Sequence, residues 1–119
     1  MIRIISILAL GLWFSTAGFA SAKDIDADEK AMERKIRHLA IGIGNAYACT
    51  EKDKRQTFKG ESHHLFDLIL QDVGSDLAFV YATSLGYGSA VPKEKLECPK
   101  LLKQWEEIRE DYELKGDEG

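Results

Sequence analysis

The sequence predicts a small all-α domain: a bundle of three main helices, stapled by one disulfide, behind a cleaved signal peptide. Three observations predict it. Apolar residues recur at three- and four-residue spacing in three segments, separated by polar or proline-containing connections. β-Branched residues are scattered and nowhere alternate over five or more positions, so no strand is predicted. Two cysteines, Cys49 and Cys98, follow an export leader.

The leader occupies residues 1–22. Arg3 is the only charge before Lys23, the stretch from Ile4 to Phe14 is apolar apart from Ser6 and Gly11, and small residues gather up to Ala20-Ser21-Ala22. This is the order of a secretory signal: positive start, short apolar core, Ala-x-Ala end. The apolar run falls short of the ~20 residues a spanning helix needs. Cleavage after Ala22 leaves Lys23–Gly119, a single domain of 97 residues. The predicted destination is the periplasm, with the extracellular space as the alternative. Losing Arg3 changes 16 basic residues to 15 against 20 acidic ones, a net charge of −5. An acidic domain has no electrostatic reason to bind nucleic acid. No second long apolar run exists, so no membrane span is predicted in the mature chain.

In an oxidising compartment Cys49 and Cys98 are expected to pair with each other. The bond would close a loop of about half the mature chain, worth ~4 kcal/mol on the chain-entropy model. No Cys-x-x-Cys occurs, which removes the simplest oxidoreductase signal.

The first helix is predicted from about Ala27 to Ala48, with Asp26 or Asp28 as N-cap. Met32, Ile36, Leu39, Ala40, Ile43, Ala46 and Tyr47 form its apolar face, and Gly42 and Gly44 either weaken its second half or let another helix approach. Thr50–Gly60 is polar and lysine-rich and reads as a surface loop, with a turn of helix within it as the alternative, pinned to the core by Phe58. A central helix over 62–86 follows. Leu65, Phe66, Ile69, Leu70, Val73, Leu77, Val80, Tyr81 and Leu85 keep one phase through Gly74-Ser75-Asp76, which favours a single long helix bent at Gly74. A Gly74 cap, with Ser75 or Asp76 opening a new helix, is the alternative. Gly86-Tyr87-Gly88-Ser89 is expected to end it, and Ala90-Val91-Pro92 to be extended. Pro99 suits the start of the last helix, whose stripe is Leu101, Leu102, Trp105, Ile108 and Tyr112.

Candidate chemistry is sparse. Glu61, His63 and His64 could suggest a metal, but adjacent residues on a helix point about 100° apart, and helical zinc pairs prefer a spacing of three or four. No metal ligand, cofactor or catalytic residue is assigned. Gly86-x-Gly88 follows a helix rather than a strand, so the dinucleotide context is missing. Tyr81, Gly86, Tyr87 and Gly88 could instead form an adaptable aromatic interface for a protein partner.

The run Lys103-Gln-Trp105-Glu-Glu-Ile108-Arg-Glu-Asp111 after the second cysteine, together with the cysteine spacing, resembles the periplasmic acid-stress chaperones over the C-terminal fifth of the chain. That resemblance implies a small, helical, disulfide-bonded, noncatalytic protein. The order of helix, cysteine, long helix, cysteine and helix also resembles the periplasmic immunity proteins that neutralise cell-wall amidases. The leading expectation is a noncatalytic, exported protein-binding domain of inhibitor, immunity or adaptor type. An acid-stress chaperone is the second expectation, and a small enzyme the third.

Overall fold

A computed structural model describes residues 22–115, with side chains from residue 28 onward. The signal peptide expected over residues 1–22 lies outside this range except for Ala22, where the first helix begins. The described chain is all-helical: α1 (Ala22–Ala48), α2 (Arg55–Asp72), α3 (Ser75–Ser89) and α4 (Cys98–Tyr112). Single 3₁₀ turns at Lys52–Lys54 and Lys93–Lys95 precede α2 and α4. Among the described residues, no helix is long and apolar enough to cross a membrane.

The expected central helix over 62–86 is two helices, so the bundle has four main helices rather than three. The break is at Gly74, whose φ of 126° an L side chain adopts only under strain. The amides of Val73 and Gly74 both donate to the Ile69 carbonyl, and the Gly74 carbonyl accepts the first bond of α3 from Ala78. The apolar phase survives because both helices turn the same face to one core: Leu65, Leu68 and Ile69 on α2, Ala78 and Tyr81 on α3. Periodicity reports the face and is blind to a kink that preserves it.

Two other boundaries also move. The segment expected as a surface loop, Thr50–Gly60, is helical from Arg55, because Phe58 is buried and continues the α2 face through Ser62 and Leu65. The glycines expected to end the central helix at Gly86-Tyr87-Gly88-Ser89 lie inside α3. Tertiary packing overrides their weak propensity of ~1 kcal/mol each.

That packing is the closest approach in the fold. α1 packs most extensively against α3. A Cβ on Gly44 would strike the Leu85 carbonyl oxygen and stand 2.7 Å from the Ser89 nitrogen. A Cβ on Gly88 would strike the Ile41 carbonyl oxygen. The two backbones therefore touch with no side chain between them. Gly42 and Gly86 meet nothing within 4 Å.

Cys49, in the turn after α1, is bonded to Cys98, the first residue of α4, with their Cα atoms 5.4 Å apart. The bond anchors α4 against the end of α1. Trp105 then enters the core at 5% exposure and stacks on Phe58 of α2, with ring centroids 4.4 Å apart and planes 18° apart. Arg109, one turn on, donates from Nε to the buried Glu61 carboxylate of α2 at 2.9 Å. α4 ends on Glu113 in the left-handed region, followed by buried Leu114, whose amide returns to the Arg109 carbonyl at 2.9 Å.

Truncating Trp105 to Ala should cost ~3–5 kcal/mol and leave the domain partly unfolded. Tryptophan emission should be blue-shifted in wild type and move red on denaturation. Phe58→Leu, a milder change, should lower the unfolding midpoint and shift that emission without abolishing folding.

Candidate functional site

Three helices bring aromatic residues to one open groove of about 370 Å³. α1 contributes Tyr47; α2 contributes Phe58, Lys59, Ser62, His63 and Phe66; α3 contributes Tyr81, Ala82, Leu85 and Ser89. The lining is mainly apolar; Lys59 and His63 are exposed, while the Ser62 and Tyr81 hydroxyls are buried and paired with each other.

Tyr47 lies three residues after Gly44, so the close crossing of α1 and α3 carries its ring beside Leu85 and Ser89. The ring meets Phe58 edge to face at 5.3 Å. Arg55 covers it, its guanidinium 5.0 Å from the ring centroid, while Arg55 Nε donates to the Thr50 carbonyl at 3.0 Å. The Thr50 hydroxyl donates in turn to the Ala46 carbonyl at 2.8 Å. The turn between α1 and α2 is thus tied to both helices.

Tyr81 forms the back of the groove and is 2% exposed. Its hydroxyl donates to the Ser62 carbonyl at 3.2 Å, which leaves the Ser62 hydroxyl to donate to the phenol oxygen at 2.9 Å. Burial pushes the Tyr81 phenol well above its ordinary range, and the Ser62 hydrogen bond offsets only part of that. Tyr81 is therefore neutral at physiological pH and a poor base for the serine it touches. Its role is to close a buried polar pair that would otherwise cost energy.

The sequence candidates separate in space. Of the suggested interface residues, Tyr81 is almost wholly buried and borders the groove from inside, and Gly88 is buried against Ile41 of α1. Gly86 and Tyr87 are on the surface, Tyr87 at 70% exposure. The metal candidates diverge. Glu61 turns to Arg109, His63 Nε2 lies 3.6 Å from Asp67, and His64 Nδ1 accepts the Lys115 amide at 3.1 Å. That last bond places the proton of neutral His64 on Nε2 and gives the residue a role in holding the chain beyond α4.

Two features of the structure, the first of them in the site, escaped sequence reading. Tyr47 and Phe66 were assigned only to core faces, yet both line an open surface. The Glu61–Arg109 pair spans 48 residues, with no local signal to announce it. The start of α2 did carry a signal: Phe58, Ser62, Leu65 and Ile69 share one helical face.

Comparison with protein-family models, curated proteins and solved structures gives no match. The groove itself is therefore the basis for reading function.

Tyr81 and the half-buried Tyr112 are both raised by burial, with Asp111 adding to the effect at Tyr112. A raised phenol contributes stability that is fully present below its unfolded value near ~10 and is lost as pH climbs toward the folded value. Urea unfolding should therefore give a flat midpoint through neutral pH and a decline above pH ~10. Tyr81→Phe should cost ~1 kcal/mol at pH 7 and make the alkaline decline shallower.

Proposed function

We propose that the chain is an exported, periplasmic, noncatalytic protein-binding domain of inhibitor, immunity or adaptor type. In this reading the groove between α2 and α3 receives an apolar side chain of the partner. The observation that carries it is the groove's composition: four aromatic rings from three helices around an open space with a mainly apolar lining. Binding sites for apolar groups have this composition. Lys59 and His63 at the rim favour a carboxylate next to the inserted side chain.

Export is supported by the leader and by a disulfide whose persistence needs an oxidising compartment. The noncatalytic reading is supported by the state of Ser62, whose hydroxyl is occupied by a neutral phenol rather than by a base.

Peptides selected by display against the oxidised domain should share a large aromatic or aliphatic residue beside Asp or Glu. A selected peptide should bind wild type and lose at least tenfold in affinity with Phe66→Ala, while far-UV circular dichroism stays that of the wild type. Phe79→Glu, outside the groove, should leave peptide affinity unchanged. A selection without an apolar consensus, or binding indifferent to Phe66→Ala, would refute the groove as the docking site.

A further inference from the structure

Two hydroxyl groups border the aromatic groove from inside, and neither has a hydrogen left for a ligand. The Tyr81 hydroxyl donates to the Ser62 carbonyl at 3.2 Å, and the Ser62 hydroxyl donates to the phenol oxygen at 2.9 Å. Ser89, also in the lining, spends its hydrogen on the Gly86 carbonyl at 2.8 Å. A serine oxygen that donates still carries two lone pairs. Among the described residues no donor reaches those of Ser62. Ser62 is 8% exposed and lines the groove, so a deep acceptor stands there with its capacity unfilled.

We propose that the groove is specific for a tyrosine of the partner protein, inserted ring first, whose hydroxyl donates to Ser62 Oγ. This specificity rests on the groove being the docking site and names the side chain that the site takes. Tyr81 is the positioning residue: by accepting the Ser62 hydrogen it holds the serine as an acceptor.

The other side chains fit less well. Phenylalanine and leucine would fill the space between Tyr47, Phe58, Phe66 and Leu85, but they would cut Ser62 Oγ off from water without giving it a donor. A site that hydrogen-bonds a ligand hydroxyl discriminates against the analogue lacking it. A carboxylate or carbonyl at the tip would set lone pairs against lone pairs. Lysine and arginine would carry a charge out of water, past the exposed Lys59 at the rim. Serine and threonine bring the donor without a ring to cover the aromatic walls. The tryptophan N–H lies on the flank of its ring, whereas a phenol carries its donor on the long axis, ahead of the apolar body.

The test is a cycle of four affinities, measured by calorimetry on the oxidised protein. A peptide obtained by display is compared with a copy whose anchoring tyrosine is replaced by phenylalanine, each against wild type and Ser62→Ala. Wild type should bind the tyrosine peptide about fivefold to tenfold more tightly than its phenylalanine copy. Ser62→Ala should shrink that ratio to about twofold or less while holding the phenylalanine copy as wild type does, which isolates the one hydrogen bond. The variant should keep wild-type circular dichroism, since Tyr81 retains the backbone carbonyl of residue 62 as its acceptor. Equal affinity for the two peptides, with both still weakened by Phe66→Ala, would overturn the tyrosine specificity and leave the groove as the docking site. Selected peptides anchored by residues other than tyrosine would do the same. A tyrosine preference that survives Ser62→Ala would put the bond on another group and overturn the role of Ser62. Peptides indifferent to Phe66→Ala would overturn both the specificity and the groove.

Discussion

The fold depends on one contact that involves no side chain. Gly44 of α1 and Gly88 of α3 let two helix backbones touch, and a single methyl group on either would meet a carbonyl oxygen of the other helix. Side chains can change rotamer to relieve a clash, but backbone atoms move only if the whole helix moves. The separation of α1 and α3 is therefore set by the absence of two Cβ atoms. Ala40 and Ala46 on α1, with Ala78 and Ser84 on α3, keep both buried surfaces narrow on either side of the contact.

Much of the remaining structure is positioned by this crossing. Tyr47, less than a turn beyond Gly44, is brought over Leu85 and Ser89 and becomes one wall of the groove. Cys49 follows, and its bond to Cys98 fixes where α4 begins. α4 reaches α2 through long side chains, the Phe58–Trp105 stack and the Glu61–Arg109 pair, instead of through close backbones. Arg109 is partly solvated, so the ion pair contributes less than a fully buried one would and acts chiefly to keep the Glu61 carboxylate partnered. The bundle thus has one tight seam, between α1 and α3, and a looser side-chain seam, between α2 and α4. The aromatic groove opens where residues of both seams meet.

The all-α class and the helix faces were legible in the sequence, because burial imposes a 3.6-residue period whatever the partner helix is. Ile36, Ala40, Ile43, Leu65, Ile69 and Trp105 all occupy the core that their spacing implied. The Cys49–Cys98 bond was legible because two cysteines allow one intramolecular pairing. Where helices stop was less legible. Gly74 and Gly88 are the same residue type, yet Gly74 ends a helix through a φ of 126° while Gly88 continues one against a neighbouring backbone. The difference lies in tertiary surroundings that no local pattern contains. The groove was illegible for the same reason: Tyr47, Phe66 and Tyr81 belong to three helices, and periodicity separates buried from exposed faces without saying where three faces fail to close. Gly44 was legible only as an alternative, since a glycine that weakens a helix and one that admits a neighbour look alike in sequence.

The most direct test compares four glycines by thermal unfolding at low protein concentration: Gly44→Ala and Gly88→Ala against Gly42→Ala and Gly86→Ala. Alanine favours a helix over glycine by ~1 kcal/mol, so Gly42→Ala and Gly86→Ala, which meet no neighbour, should hold or raise the melting temperature. Gly44→Ala and Gly88→Ala must separate α1 from α3, at a cost of ~1–3 kcal/mol or more, and should lower it by roughly 10 °C. Four variants of equal or higher stability than wild type would contradict the account, because α1 and α3 would then be held apart by something other than these two missing side chains.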